Sequence, residues 1–254
     1  MKMINMGRKT IVIMIFIIIS ISICSADYFL NYYKESKELK NDTSVDGYLN
    51  LSNQSLPPLQ VLGEQNIGRV VKIGPYGNNK SPTKVAYIIG VHSMEKNSHK
   101  AIFNMLLQNQ QNLGHCYYLY IISAKEQKDY NKSRKDGQIL ANKYAVKDIN
   151  KNQFNLAVDI HSNRGYYAEK VFIFSALPDD KSVEIANLLV NAIPWMIYYI
   201  PPRSNEPTSC PYISEPLIKN GTPTLVYETF SNESFNLTEK RAHEFIMTLD
   251  KLNF

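Results

Sequence analysis

The stretch Val85-Ala86-Tyr87-Ile88-Ile89-Gly90-Val91-His92-Ser93-Met94-Glu95 decides the fold. Seven apolar or small residues, mostly β-branched or aromatic, form a continuous run, as a strand buried on both faces requires. The run gives way to His92, and Glu95 opens a segment in which Ala101, Ile102, Met105 and Leu106 share one helical face. Comparable strand-length runs recur at Arg69–Ile73, Tyr117–Ile122, Leu156–Ile160, Val171–Phe174, Met196–Ile200 and Thr224–Tyr227. Helical patterns lie between or after them: Val183, Ala186, Leu189 and Val190 behind a capping Asp179–Asp180 pair, and Ala242, Phe245, Ile246 and Leu249 at the C-terminal end. Alternating strands and helices predict an α/β domain with one sheet and helices on both faces.

In open α/β sheets, ligand sites gather at the carboxyl ends of strands, so the polar residues that end these runs are the candidates. His92 and Glu95 flank a strand-to-helix turn, where an imidazole and a carboxylate can face one point; Glu95 also suits a helix N-terminus for electrostatic reasons alone. Leu156-Ala157-Val158-Asp159-Ile160-His161 ends in a second histidine, with Asp159 on the same strand face. That spacing lets a carboxylate orient a metal-bound imidazole from behind; it equally fits a strand-end histidine bonded to a loop. Thr224-Leu225-Val226-Tyr227-Glu228 delivers a carboxylate, which suits proton transfer to and from an attacking water, or a simple ion pair.

Taken in order, strand–His-x-x-Glu, strand–Asp-x-His and strand–Glu resemble the zinc carboxypeptidase superfamily, and within it the succinylglutamate desuccinylase/aspartoacylase-like branch. The resemblance spans roughly Lys84 to Phe230. It implies a mixed, mostly parallel sheet and one zinc ion held by His92, Glu95 and His161 at the sheet's carboxyl edge, with Asp159 supporting His161. It further implies that Glu228 is the catalytic carboxylate and that Arg134 stabilises the oxyanion. Arg164, Asn131 and Tyr212 are implied as substrate contacts, and Arg203 is a weaker arginine candidate. A guanidinium suits either task, because it pairs with carboxylates and oxyanions through a rigid fork of donors; each arginine also fits a plain surface charge. Ser93 departs from the family's usual glycine, which leaves the substrate class open.

The implied activity is hydrolysis of an amide bond in a peptide or N-acyl amino acid by a water activated by zinc and Glu228. The alternative is a catalytically degenerate binding module of the cell envelope. Of the other histidines, His99 lies four residues after Glu95 on the same helical face and could bond it from behind, but a solvated side chain is the expectation; His115 and His243 are assigned to structure.

The N-terminus sets the expected compartment. Lys2, Arg8 and Lys9 precede an apolar run from Ile11 to Cys24, and small residues follow. Residues 1–25 therefore read as a secretory signal or a membrane anchor across residues 10–25. Residues 26–65 are polar and read as a stem, and 66–254 as the catalytic domain. Export would leave Cys116 and Cys210 as a disulfide or as two free thiols, and eight N-x-[ST] sequons fit a glycosylated exported chain only weakly. The 254 residues are 44% hydrophobic and 20% charged, which excludes a wholly disordered chain. Three of the five excess positive charges belong to the N-terminal signal. The rest interleave with acidic residues, so no nucleic-acid surface is expected, and membrane contact is expected only through the N-terminal segment.

Overall fold

The computed structural model describes Gly47 and residues 55–125, 128–202 and 208–254, all within the unit Thr43–Phe254. The expected signal, most of the stem, Arg203 and the sequons at Asn41, Asn50 and Asn53 lie outside the described residues. Among the described residues, no helix is long and apolar enough to cross a membrane.

Seven strands form one sheet: β1 (Leu59–Gln65), β2 (Gly68–Gly77), β3 (Lys84–Ile89), β4 (Cys116–Ala124), β5 (Leu156–Asn163), β6 (Phe172–Phe174) and β7 (Thr224–Phe230). Their spatial order is β1-β2-β4-β3-β5-β7-β6. The central pairs β4–β3, β3–β5 and β5–β7 are parallel, and the outer pairs are antiparallel. The mixed, mostly parallel sheet expected from the sequence is the one observed.

Alternation along the strands splits the core into two layers. Tyr87, Ile89, Val158, Ile160, Leu225 and Tyr227 face α1 (Lys96–Asn109), α4 (Asp180–Ala192) and α6 (Phe235–Leu249). Ala86, Ile88 and Ala157 face the opposite layer. That layer is built from α2 (Tyr130–Leu140), a π-helical turn (Ala141–Val146), α3 (Lys147–Asn152) and α5 (Ser214–Lys219). Asp179 caps α4 by accepting from the Ser182 amide, and Asp129 caps α2 by accepting from Lys132.

Two elements differ from expectation. β1 falls inside the segment assigned to the stem, so the expected boundary at residue 65 cuts the β1–β2 hairpin. As an edge strand it is largely exposed and mixes polar with apolar residues, so it lacks the continuous run that marks its neighbours. Met196–Ile200 forms a single bridge, Ile173 to Tyr198, rather than a strand. Pro201 and Pro202 bring no amide hydrogen to extend a ladder, and the neighbouring β6 has only three residues.

Candidate metal centre

β3, β5 and β7 end side by side, and their last residues build the site. The chain leaves β3 through Gly90, whose φ of +83° is in the left-handed region; a Cβ there would lie 2.1 Å from the Ile122 carbonyl oxygen. Glycine alone allows this tight exit, which carries His92 over the sheet edge. Helix α2 then packs directly on the exit turn. At Gly137 a Cβ would meet the Val91 carbonyl oxygen at 2.0 Å, so the missing side chain sets how close α2 comes. That approach brings Gln138 and Arg134 to the site.

Glu95 is the hub. Its Oε1 lies 2.8 Å from His92 Nδ1, and its Oε2 lies 2.9 Å from His161 Nδ1. The Ser162 amide donates to Oε2 at 3.0 Å, and the Arg134 guanidinium donates to Oε1 at 3.2 Å. The ligating atoms of His92, Glu95 and His161 all lie within 4.8 Å of one another. Each imidazole is held from its far side. His161 Nε2 lies 3.0 Å from Asp159 Oδ2 and 2.9 Å from Ser209 Oγ, and Ser209 Oγ also donates to Asp159. His92 Nε2 meets the Gln138 side-chain amide at 3.2 Å.

Burial would push the Glu95 carboxyl up, but the two imidazoles and their hydrogen bonds outweigh it and hold the group well below the usual carboxylate range. Burial alone would lower His161; Asp159 and Glu95 reverse this and raise it well above 6.5. In the metal-free protein His161 is therefore an imidazolium between two carboxylates. Burial lowers His92 to about 4, with Glu95 only partly compensating, so it is neutral.

The donor set fits a divalent metal. Two imidazole nitrogens and a carboxylate converge, and each imidazole has a partner behind it that can fix its tautomer. With a metal at Nδ1, His161 Nε2–H would donate to Asp159. His92 Nε2–H would donate to the Gln138 carbonyl oxygen after a flip of that amide.

Glu228 lies beside this cluster. The β5–β7 register pairs His161 with Glu228 on the α2 side of the sheet. Asn163 Nδ2 approaches Glu228 Oε2 at 3.4 Å. Burial is the main cause that raises the Glu228 carboxyl to about 7; His161 lowers it, and Glu95 and Asp159 raise it further.

The remaining expected residues are placed unevenly. Arg134 and Arg164 both lie against the Tyr130 ring, at 5.2 and 5.5 Å, with Arg164 exposed. Asn131 is exposed on the first turn of α2 and makes no contact with the cluster among the described residues. Tyr212 packs against the α2–α5 core layer, and its carbonyl accepts from Asn142. His99 is not solvated: it is fully buried and donates from Nε2 to the Ile160 carbonyl at 3.2 Å. His115 bonds the Leu252 carbonyl, and His243 is exposed on α6. Cys116 and Cys210 are both free. Cys116 begins β4, and Cys210 follows the site residue Ser209, so the two occupy opposite ends of the sheet.

Four residues of the neighbourhood were not legible in the sequence. Ser209, Gln138 and Asn163 carry no motif and are recruited only by packing. Tyr167 lies close enough for its hydroxyl to feel Glu228, Arg134 and Glu95; burial first, then Glu228 and Glu95, raise it to about 12, with Arg134 opposing them.

No protein-family model and no curated protein matches the chain. Solved structures do. A metallo-carboxypeptidase from Pseudomonas aeruginosa, in complex with (2-guanidinoethylmercapto)succinic acid, superposes with a TM-score of 0.51 at 12% identity, covering 81% of this chain and 66% of that one. A metallo-carboxypeptidase from Burkholderia cenocepacia gives a TM-score of 0.52 at 11% identity, covering 81% and 66%. The chain thus has the zinc carboxypeptidase-like α/β fold and spans about two thirds of the length of these carboxypeptidases.

Proposed function

We propose that the chain is an exported zinc-dependent hydrolase that cleaves an amide bond in a peptide or N-acyl amino acid. The observation that supports this most is the convergence of His92 Nδ1, His161 Nδ1 and the Glu95 carboxylate, with Glu228 beside them on the next strand. A zinc ion bound there supplies a Lewis acid that polarises the scissile carbonyl and activates water. Glu228, with a carboxyl tuned to about 7 in the metal-free protein, suits a group that both accepts and returns a proton near neutrality. It takes the proton of the attacking water and gives it to the departing amine as the C–N bond breaks. Arg134 faces the developing oxyanion, and Arg164 with the Tyr130 ring lines the approach for the substrate's carboxylate. Export rests on the N-terminal sequence, and assignment to the desuccinylase/aspartoacylase-like branch rests on motif order.

The alternative is a binding module without catalysis. Metal content and hydrolysis decide between them. Purified wild type is expected to carry about one zinc per chain, and His92→Ala and His161→Ala to lose it. Glu228→Gln is expected to keep the metal and lose hydrolysis of acylated amino acids and peptides. Full metal occupancy in both histidine variants would sink the metal centre. A wild type that binds zinc but cleaves nothing would leave the binding module.

A further inference from the structure

β3 stops before β5 does. The last β3–β5 pair is Ile88 with Asp159, whereas β5 continues to Asn163. Beyond that pair, the β7 side of β5 remains occupied: the Thr229 hydroxyl bonds the His161 carbonyl, and the Ser231 amide bonds the Asn163 carbonyl. Backbone groups alternate sides along a strand, so the Ile160 carbonyl and the Ser162 amide face the side that β3 has vacated. Both are taken by the N-cap residue and first turn of α1. His99 donates from Nε2 to the Ile160 carbonyl at 3.2 Å, and Glu95 Oε2 accepts from the Ser162 amide at 3.0 Å. The two contacts straddle His161.

We infer that His99 is a positioning residue for the metal centre, forming with Glu95 a two-point clamp that fixes the backbone on either side of His161. This rests on the metal-binding reading above. Among the described residues, the His99 ring bonds the Ile160 carbonyl rather than a ligating atom of the cluster. It is fully buried, and among the described residues its Nδ1 has no hydrogen-bond partner, so within them the ring makes one hydrogen bond, from one N–H to one carbonyl. The arrangement ties the helix that bears Glu95 to the strand that bears His161, and both ligands depend on that register. Loss of a group that orients a ligand from behind costs about 10–100-fold in metal affinity.

The test compares His99→Gln with His99→Phe in the full chain. Glutamine presents an N–H at the reach of Nε2; phenylalanine fills the space without a donor. Zinc affinity is measured by competition with a chromophoric chelator, and amide exchange at Ser162 is followed in zinc-free protein. The expected result is zinc binding about tenfold or more weaker for His99→Phe, near wild type for His99→Gln, and faster Ser162 exchange only in His99→Phe. Wild-type zinc affinity in His99→Phe, or equal losses in the two variants, would overturn the inference. Should wild type itself bind no zinc, the metal reading fails, and unchanged Ser162 protection in His99→Phe then removes the clamp as well.

Discussion

Replacing Glu228 with Gln should stabilise the metal-free protein in alkaline solution and do little in acid. In the folded chain the carboxyl titrates at about 7, raised mainly by burial, against an ordinary value of 4.5. Between those values the folded state holds a proton that the unfolded state has released. Stability contributed by this group therefore falls as pH rises from about 4.5 to about 7 and is flat above. At about 1.36 kcal/mol per unit, the shift corresponds to about 3 kcal/mol. Glu228 keeps part of its surface in water, which lowers the working figure to about 2 kcal/mol. Glutamine is neutral throughout and does not bear that cost. Thermal melts in a chelating buffer should show the two proteins nearly equal at pH 4.5. At pH 8 Glu228→Gln should melt about 4–8 °C higher, since 1 kcal/mol is worth about 2–4 °C in a domain of this size. A difference that does not change with pH, or a variant less stable at pH 8, would refute the assignment of a buried, proton-retaining carboxyl.

Metal affinity should climb with pH beyond 6.5, because the proton on His161 Nδ1 must leave and Asp159 and Glu95 hold it above the ordinary histidine range; competitive titrations at pH 6, 7 and 8 check this, and a plateau from pH 6.5 would contradict it. Gly137→Ala should cost about 2–3 kcal/mol in urea unfolding, since its methyl collides with the Val91 carbonyl, and should weaken metal binding too, because Arg134 and Gln138 ride on the same helix. Asp148→Ala should cost about 2 kcal/mol by leaving the Tyr120 hydroxyl and Lys72 ammonium without their shared acceptor, seen as a lower midpoint with an unchanged m-value. Alkylation of unfolded, unreduced protein should label both Cys116 and Cys210; protection of the pair would mean a disulfide that this fold does not allow.

The central strands were legible because burial on both faces demands continuous apolar runs, and their polar terminators, His92, His161 and Glu228, stand out against that background. β1 was hidden for the opposite reason: an exposed edge strand need not be apolar. His99 was misjudged because its neighbours in the chain, Lys96, Asn97, Ser98 and Lys100, are all polar. Its burial comes from the gap where β3 ends, which only tertiary structure creates. Ser209 and Gln138 reach the imidazoles from segments with no local signal, since a serine or glutamine beside a site is chemically indistinguishable in sequence from one in water. Tyr212 was implied as a substrate contact, but its ring packs against the apolar layer instead.

The donor groups are divided unequally along the chain. His92 and Glu95 sit three residues apart in one turn, whereas His161 lies 66 residues beyond Glu95. The first two can meet as soon as the turn closes. The third arrives only when β5 docks beside β3, across the β4 and helical segments that separate them in the chain. Parallel pairings across such sequence distances are slow steps in folding. The moment at which a refolding chain acquires a third donor is thus a clock for assembly of the sheet's centre.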